Sequence, residues 1–482
     1  MADKKAFYIT TTIPYVNAPP HIGFALEVVQ ADIVARYHEH FLEEEVFFNF
    51  GSDEHGVKIY RKAIEQGKDP QAYVDEYAAK FDALKKFLNL TYTAFTRTTD
   101  PHHKAAAQEF WRRCKAAGDI YKKDYQIKYC VGCELEKTDS ELVDGKCPLH
   151  PNLEIELINE ENYFFRWSKY QEQLVAFYNE HPDFLLPESR FNGIRKFVEG
   201  GLQDFSISRL KAKMPWGIPV PGDDEHIMYV WFDALVNYIS ALGWPEDEKN
   251  FEKFWGTKDH PNGVQFAGKD QIRQQAAMWQ AMLMSTGLPH TKQILIHGFI
   301  TSGGQKMSKS LGNVVDPIAI IEEYGSDALR YFLARHIHPF EDSDFTMDKF
   351  KEAYNADLAN GLGNLTARIM QLAETHLEKG TIPEWNGLPE EYTTALDAFE
   401  FNKAVEYVWE RISRLDRRIT EEAPFKLVKT DPEAGKKLIF DLTQDLYRVA
   451  QLLYTFMPEA NANIKTAIEE NKKPETLFPR KD

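Results

Sequence analysis

The 482-residue chain has no long uncharged apolar run, so no transmembrane helix is expected. Met1-Ala2-Asp3-Lys4-Lys5 passes into Phe7-Tyr8-Ile9-Thr10 without a signal-peptide core, which points to a cytoplasmic protein. Cysteine is scarce: there are four, three of them close together, too few for a disulfide framework. Positive charge is also in deficit, with 57 Lys and Arg against 74 Asp and Glu and a formal net charge of −17. That excludes a general nucleic-acid coat, which needs a broad basic field. One local basic face stays open around Arg411, Arg414, Arg417 and Arg418. Internal repeats and low-complexity tracts are absent. The length suits about two to four globular domains.

Residues 7–10 read as a buried strand, followed by a loop punctuated by Pro14, Pro19 and Pro20. Residues 22–40 lack proline and carry Ala25, Val28, Val29, Ile33 and Tyr37 in a helical pattern. Residues 45–50 form a second strand, ended by Gly51-Ser52-Asp53-Glu54-His55-Gly56. Strand, helix, strand with short connections is the text of a parallel doubly wound α/β sheet. Similar units return at 264–267 and 294–296, with a helix over 271–285 between them. The sheet is therefore expected to be split by an insertion over 116–228. From Met347 the text is helical, with Leu358, Leu362, Leu365, Ile369 and Leu372 at three- and four-residue steps. A loop is expected near 380–389, and a poorly packed tail from Asn471 onward.

Two segments carry phosphate chemistry. Residues 301–310 place Lys306 and Lys309 on a stretch of Gly, Ser and Thr, a mobile clasp suited to a triphosphate. Pro19-Pro20-His21-Ile22-Gly23-Phe24 is a loop opening into a helix, where free N–H groups and the helix dipole favour anions. Gly23 leaves room for an adenine or a phosphate, and His21 can donate to a phosphoryl oxygen. Alone, the first is a solvated loop and the second an ordinary helix cap. In this order, each after a strand, they resemble the paired HIGH and KMSKS signatures of class I aminoacyl-tRNA synthetases. The resemblance implies amino-acid activation by ATP with Mg²⁺, and His21, Lys306 and Lys309 as the catalytic residues. Phe24 stands where the signature ends in a second His, so one phosphate donor is missing.

The resemblance narrows to the methionyl-tRNA synthetases through Phe7-Tyr8-Ile9-Thr10-Thr11, Pro14-Tyr15-Val16-Asn17-Ala18, Gly51-Ser52-Asp53-Glu54-His55-Gly56, Tyr229-Val230-Trp231-Phe232-Asp233-Ala234 and His297-Gly298-Phe299-Ile300. It implies that Asp53 binds the substrate ammonium, as a carboxylate beyond a strand's carboxyl end can. Alone, Asp53 reads also as a helix N-cap before Val57. The implied side-chain pocket is Ile13, Tyr15, Trp231, Ala234, Leu235 and Tyr238, apolar and aromatic walls that suit a polarizable thioether. Trp231 and Tyr238, seven apart, read equally as core. Gln274-Gln275 replace the family's Phe-His, and the Gln275 amide can donate to the sulfur. The ATP residues implied are His21, Gly23, Glu27, Gly268, Asp270, His297, Gly298 and Lys309. Asn364 and Arg368, four apart on one helix face, and Phe425 in place of a Trp match the anticodon-contacting positions. Class I enzymes for Leu, Ile and Val are the nearest rivals, but they need large editing domains and the insertion here is short. A non-catalytic tRNA-binding paralogue is a second alternative. An adenylyltransferase that never meets tRNA is a third, opposed by the C-terminal bundle.

Cys130-Val131-Gly132-Cys133 and Cys147-Pro148-Leu149-His150 form C-x2-C-x13-C-x2-H. Three thiolates and one imidazole complete a tetrahedral zinc with no open position, so the site is structural. Unmetallated buried cysteines are the alternative. Cys114 stands apart as a small core residue. The expected architecture is a Rossmann-type parallel sheet over 1–115 and 229–346, a connective insertion with the zinc knuckle over 116–228, and a helical anticodon-binding bundle over 347–482. The implied partners are the acceptor end and anticodon of tRNA(Met); a monomer is the default expectation.

Overall fold

The computed structural model describes residues 4–307, 312–378, 382, 385 and 387–481. The chain divides into two compact units. The first comprises Met1–Pro20, Glu45–Ala83 and Tyr92–His297; the second comprises His21–Glu44, Leu84–Thr91 and Gly298–Asp482.

The first unit is built on six strands: β1 Ala6–Thr10, β2 Glu45–Ser52, β3 Ala94–Arg97, β4 Leu185–Leu186, β5 Gly263–Gly268 and β6 Gln293–His297. Their order is β3-β2-β1-β5-β6-β4, and every neighbouring pair is parallel. Strands β1, β5 and β6 are buried along almost their whole length, as strands covered on both faces must be. The chain runs outward from β1 to β3 on one side and from β5 to β6 on the other. Between β1 and β5 lies the switch point where such sheets bind ligands, beyond the strands' carboxyl ends. Strand β4 was not foreseen: the segment read as an insertion adds Leu185 and Leu186 to the edge of β6. The same segment also folds a four-stranded antiparallel sheet from Ile120–Cys130, Leu135–Lys137, Glu156–Phe165 and Phe205–Ser206. Cys114 is fully buried in the main core with Phe110, Trp111 and Trp279, the packing role expected of it.

The second unit is helical. Helix Ile22–Arg36 is buried on nearly all sides, and it continues into a wider turn at Tyr37–Phe41. Its Asp32 carboxylate lies 2.8 Å from Arg36 and 2.8 Å from Arg330 of helix Ser326–Arg335. Arg330 is fully buried and donates to the carbonyls of Leu88, Thr455 and Phe456, so its charge is compensated on every side. Downstream, Phe401–Glu422 shows the amphipathic stripe of a bundle helix, with Val405, Val408, Ile412, Leu415 and Ile419 buried. Helices Asn364–His376, Pro432–Leu453 and Pro458–Glu469 complete the core of this region.

The tail departs from expectation. Phe478 is buried against Tyr354, with ring centroids 6.2 Å apart. Tyr354 Oη donates to the Pro479 carbonyl at 2.9 Å, and Asn355 exchanges hydrogen bonds with the Lys481 backbone at 2.7 and 3.1 Å. One aromatic anchor in a polar stretch is enough to seat it. Residues 379–381, 383, 384 and 386 of the foreseen 380–389 loop region lie outside the described residues. Among the described residues no helix is long and apolar enough to cross a membrane.

Candidate active site

The residues read as an amino-acid pocket all lie in the first unit. Strand β2 runs out through Ser52, and the next residue, Asp53, pairs with Tyr15 as a parallel bridge. The Asp53 N–H donates to the Pro14 carbonyl at 2.9 Å, and the Val16 N–H to the Asp53 carbonyl at 3.2 Å. Asp53 is therefore not the N-cap of helix Val57–Glu65; Gly56 holds that position. Gly51 permits the approach on the other side, since a Cβ there would lie 2.0 Å from the Thr96 carbonyl oxygen and 3.1 Å from Ile13 Cγ2. The Asp53 carboxylate is buried. Burial first, then the charges of Asp233 and Glu134, push its pKa well above the usual carboxylate range. A carboxylate so placed gains most from a bound cation.

Tyr15 meets Trp231 edge to face, with centroids 6.1 Å apart. Among the described residues the Tyr15 hydroxyl and the Trp231 indole N–H have no hydrogen-bond partner. Trp231 lies on helix Val230–Ala234 and Tyr238 on Asn237–Ser240, so the two do not share one continuous helix. They also differ in surroundings. Tyr238 is buried in the main core with Leu235, whereas Trp231 belongs to a small cluster with Tyr129, Tyr229 and Val230. Gln275, in the wide turn Gln274–Met278, donates through Nε2 to Tyr238 Oη at 2.7 Å. Its amide thus orients the tyrosine, while its Oε1 and the Oε1 of Gln274 have no hydrogen-bond partner among the described residues. Ala234 is buried on the same short helix as Trp231.

Sequence reading passed over Asp233 and His55. Asp233 is fully buried, and His55 Nδ1 lies 3.2 Å from its Oδ2. Burial raises the Asp233 pKa, and the neighbouring imidazole opposes that rise. The only signal was adjacency to Trp231 and to Asp53.

At the carboxyl ends of β5 and β6, Gly268 and His297 are register partners. Gly268 accommodates both neighbours: a Cβ there would lie 2.9 Å from Asp270 Oδ1 and 3.6 Å from His297 Cε1. Asp270 follows in the turn Lys269–Gln271, and His297 is buried.

The second unit holds both signature segments, from His21 and from Thr301 onward. His21 precedes helix Ile22–Arg36 in extended conformation and caps it, Nδ1 accepting from the Gly23 N–H at 3.0 Å. The Ile22 N–H donates to the Val315 carbonyl at 3.1 Å, and Phe24 N–H to the His21 carbonyl at 3.0 Å. The expected cluster of free N–H groups is therefore already used within the protein. With Nδ1 accepting, the ring proton sits on Nε2, which becomes the donor at this end of the helix. Burial holds the His21 pKa down at about 4, so the ring is neutral near pH 7. Gly23 is required by this cap, because a Cβ would lie 2.8 Å from His21 Cε1. Phe24, expected to cost the site one phosphate donor, packs on the same imidazole with centroids 4.4 Å apart and planes tilted by 31°, and so buttresses His21. Glu27 is buried one turn further on. Gly298 passes so close to the Glu341–Asp342 backbone that a Cβ would lie 2.2 Å from the Glu341 carbonyl carbon.

The lysine segment begins as a hairpin, not as a structureless loop. Strands Ile300–Ser302 and Gln305–Lys306 are joined by Gly303 and Gly304, both at positive φ, the two-residue turn that matches strand twist. Asp344 pins it, accepting from the Gly304 N–H at 2.7 Å and from Thr301 Oγ1 at 2.9 Å. Lys309 lies outside the described residues.

The four knuckle residues converge. Their ligand atoms all lie within 4.8 Å of one another, with Cys133 Sγ 3.5 Å from Cys147 Sγ and 3.2 Å from His150 Nδ1. A tetrahedral zinc with sulfur ligands at about 2.3 Å needs edges of about 3.8 Å, so the donor set fits. Gly132 makes room for the ring: a Cβ there would lie 2.4 Å from His150 Cγ.

On the helical side, Asn364 is exposed and Phe425 is 47% exposed, an unusual position for a phenylalanine. Arg368 is paired with Asp416. Arg418 bonds Glu422 at 2.7 Å and Asp445 at 3.1 Å, Arg414 lies 3.6 Å from Glu410, and Arg411 lies over the Tyr407 ring. Of the four arginines of the foreseen basic face, Arg414 and Arg418 are thus paired with acidic neighbours, and Arg411 rests on an aromatic ring.

The sequence model of the class I tRNA synthetases (M) matches residues 7–154 and 152–370. A methionine–tRNA ligase of Nostoc sp. is 42% identical over 477 residues, covering 96% of this chain and 89% of that protein. One from Thermotoga maritima is 38% identical, covering 97% of this chain and 76% of its own. The crystal structure of Mycobacterium tuberculosis methionyl-tRNA synthetase bound by methionyl-adenylate superposes with a TM-score of 0.89 at 34% identity, covering 99% of each chain. The sheet order, the capped His21 helix and these matches agree, and the chain belongs to the methionyl-tRNA synthetase family of class I tRNA synthetases.

Proposed function

We propose that this chain activates methionine with ATP and transfers it to the 3′ end of tRNA(Met). The observation that carries the reading is the buried Asp53 carboxylate beside the Tyr15–Trp231 pair, at the carboxyl end of the parallel sheet. Asp53 holds the substrate ammonium. Ile13, Tyr15, Trp231, Ala234, Leu235 and Tyr238 enclose the thioether side chain, and Gln275 sets the Tyr238 hydroxyl.

The methionine carboxylate attacks the α-phosphorus of ATP, and the bond to the β-phosphate oxygen breaks, giving methionyl-adenylate and pyrophosphate. Negative charge builds on the transferring phosphate and the leaving group, so fixed donors supply the acceleration without an acid–base pair. His21 Nε2–H is one such donor, held neutral and oriented by its Nδ1 bond to Gly23. Lys306 and Lys309 are the cationic partners of the phosphates, and Mg²⁺ enters with ATP. The other nucleotide-binding residues on this reading are Gly268, Asp270 and His297 in the first unit and Gly23, Glu27 and Gly298 in the second. In the second step a ribose hydroxyl of the terminal adenosine attacks the acyl carbon and AMP departs.

Residues 116–228 serve as the connective insertion, with Cys130, Cys133, Cys147 and His150 holding a structural zinc. Residues 347–482 read the anticodon through Asn364, Arg368 and Phe425; Arg368 leaves Asp416 to do so. The enzyme works as a cytoplasmic monomer. ATP–pyrophosphate exchange with a panel of amino acids, followed by aminoacylation of tRNA, tests the whole reading. Exchange with methionine alone is expected; exchange with leucine, or with none, overturns it.

A further inference from the structure

Glu134 follows the knuckle ligand Cys133 directly, and its backbone has φ of 51°, a region non-glycine residues rarely occupy. Its side chain is buried. Oε1 accepts the Lys58 N–H at 2.9 Å, in the first turn of helix Val57–Glu65. That helix has no cap of its own, because its N-cap is Gly56. Glu134 supplies the cap from 76 residues away. The carboxylate lies so close over Gly56 that a Cβ there would be 2.6 Å from Oε2. The other end of the residue makes a second tie, its carbonyl oxygen accepting from the Tyr229 hydroxyl. Tyr229 is the N-cap of helix Val230–Ala234.

These two ties reach the roots of the two segments that carry the candidate methionine site. Gly56 stands three residues after Asp53, and Tyr229 two residues before Trp231. The knuckle also packs on the same side, with Val131 and Leu135 against the cluster of Tyr129, Tyr229, Val230 and Trp231. We propose that Glu134 is a positioning residue for amino-acid binding: one buried side chain and its carbonyl fix the separation between the Asp53 segment and the Trp231 helix. The proposal rests on the assignment of Asp53 and Trp231 to the amino-acid site.

The test uses the full chain, with zinc content measured beside ATP–pyrophosphate exchange. Glu134→Ala removes the cap and should raise KM for the amino acid about tenfold, with kcat changed by less than about threefold and zinc retained. Glu134→Gln keeps an oxygen acceptor for the Lys58 N–H and should stay within about threefold of the parent in KM. Tyr229→Phe removes only the second tie and should raise KM about threefold, without disturbing the cap. An unchanged KM in Glu134→Ala, equal losses in the Ala and Gln variants, or loss of zinc from Glu134→Ala would each overturn the proposal. KM is measured for whichever amino acid the parent activates. A parent that activates leucine refutes the methionine reading, and the Glu134 variants still report on positioning.

Discussion

His21 Nδ1 accepts a hydrogen bond from the backbone N–H of Gly23, two residues along the chain, at 3.0 Å. The bond does two jobs at once: it caps the buried helix Ile22–Arg36 and it forces the ring proton onto Nε2. A protonated ring would lose the acceptor and with it the cap.

His21→Ala should therefore lower kcat for ATP–pyrophosphate exchange by about 10²-fold or more, the usual cost of one fixed donor to a developing charge. His21→Asn keeps a side-chain cap and should recover stability but not rate. The pH behaviour follows from the pKa of about 4. The unfolded chain binds a proton on this His near pH 6.5, before the folded protein does. Stability contributed here is full above that value and is lost as pH falls toward 4. Exchange rates should show no His21 limb between pH 5 and 8; a limb near 6.5 that vanishes in His21→Asn contradicts this.

Gln275 reaches the pocket through another side chain. Its amide donates to Tyr238 Oη, so Gln275→Ala frees the tyrosine as well as removing an amide. Discrimination of methionine against leucine should fall about tenfold, within the range that one lost polar contact allows. Tyr238→Phe should reproduce part of that loss. Equal methionine and leucine kinetics before and after Gln275→Ala would remove Gln275 from the pocket.

For the knuckle, metal analysis of the purified chain should find one zinc. Cys147→Ser should lose it and lower Tm, since a structural zinc adds its binding energy to folding. A zinc-free parent with unchanged Tm on chelation would refute the site.

Phe478→Ala removes a buried aromatic from between Tyr354 and Gly363. The expected cost is about 3–5 kcal/mol in urea unfolding if the region unfolds as one unit. A change below about 0.5 kcal/mol would be the value for an exposed residue and would return the tail to the loosely packed segment the sequence suggested.

What the sequence conveyed well was local. Strands β1, β2, β5 and β6 announce themselves by apolar runs, and the knuckle by its spacing. His21, Gly23 and the lysine segment are short strings whose chemistry is readable without a fold. What it hid was relational. Leu185 and Leu186 are too few to signal a strand, and only their neighbour β6 makes them one. Glu134 acts on Lys58 and Tyr229, and Asp233 on His55; nothing in either stretch of text names its partner. The helix N-terminus misled for the same reason, because whether its N–H groups are free depends on Val315 and on the His21 ring. Phe478 misled because one buried ring outweighs a polar neighbourhood.

Strand β1 has its central place in the sheet only when Gly263 arrives beside Tyr8. On a ribosome adding about 5–20 residues per second, the roughly 250 residues between them represent a wait on the order of tens of seconds. Until then β1 and β2 expose one apolar edge with unpaired backbone groups, the kind of edge that invites wrong pairing. Long-range parallel closure of this kind is slow by its nature. Synthesis of this chain should accordingly depend on protection of its N-terminal strands during translation, and truncated products ending before β5 should aggregate instead of accumulating as half-enzymes.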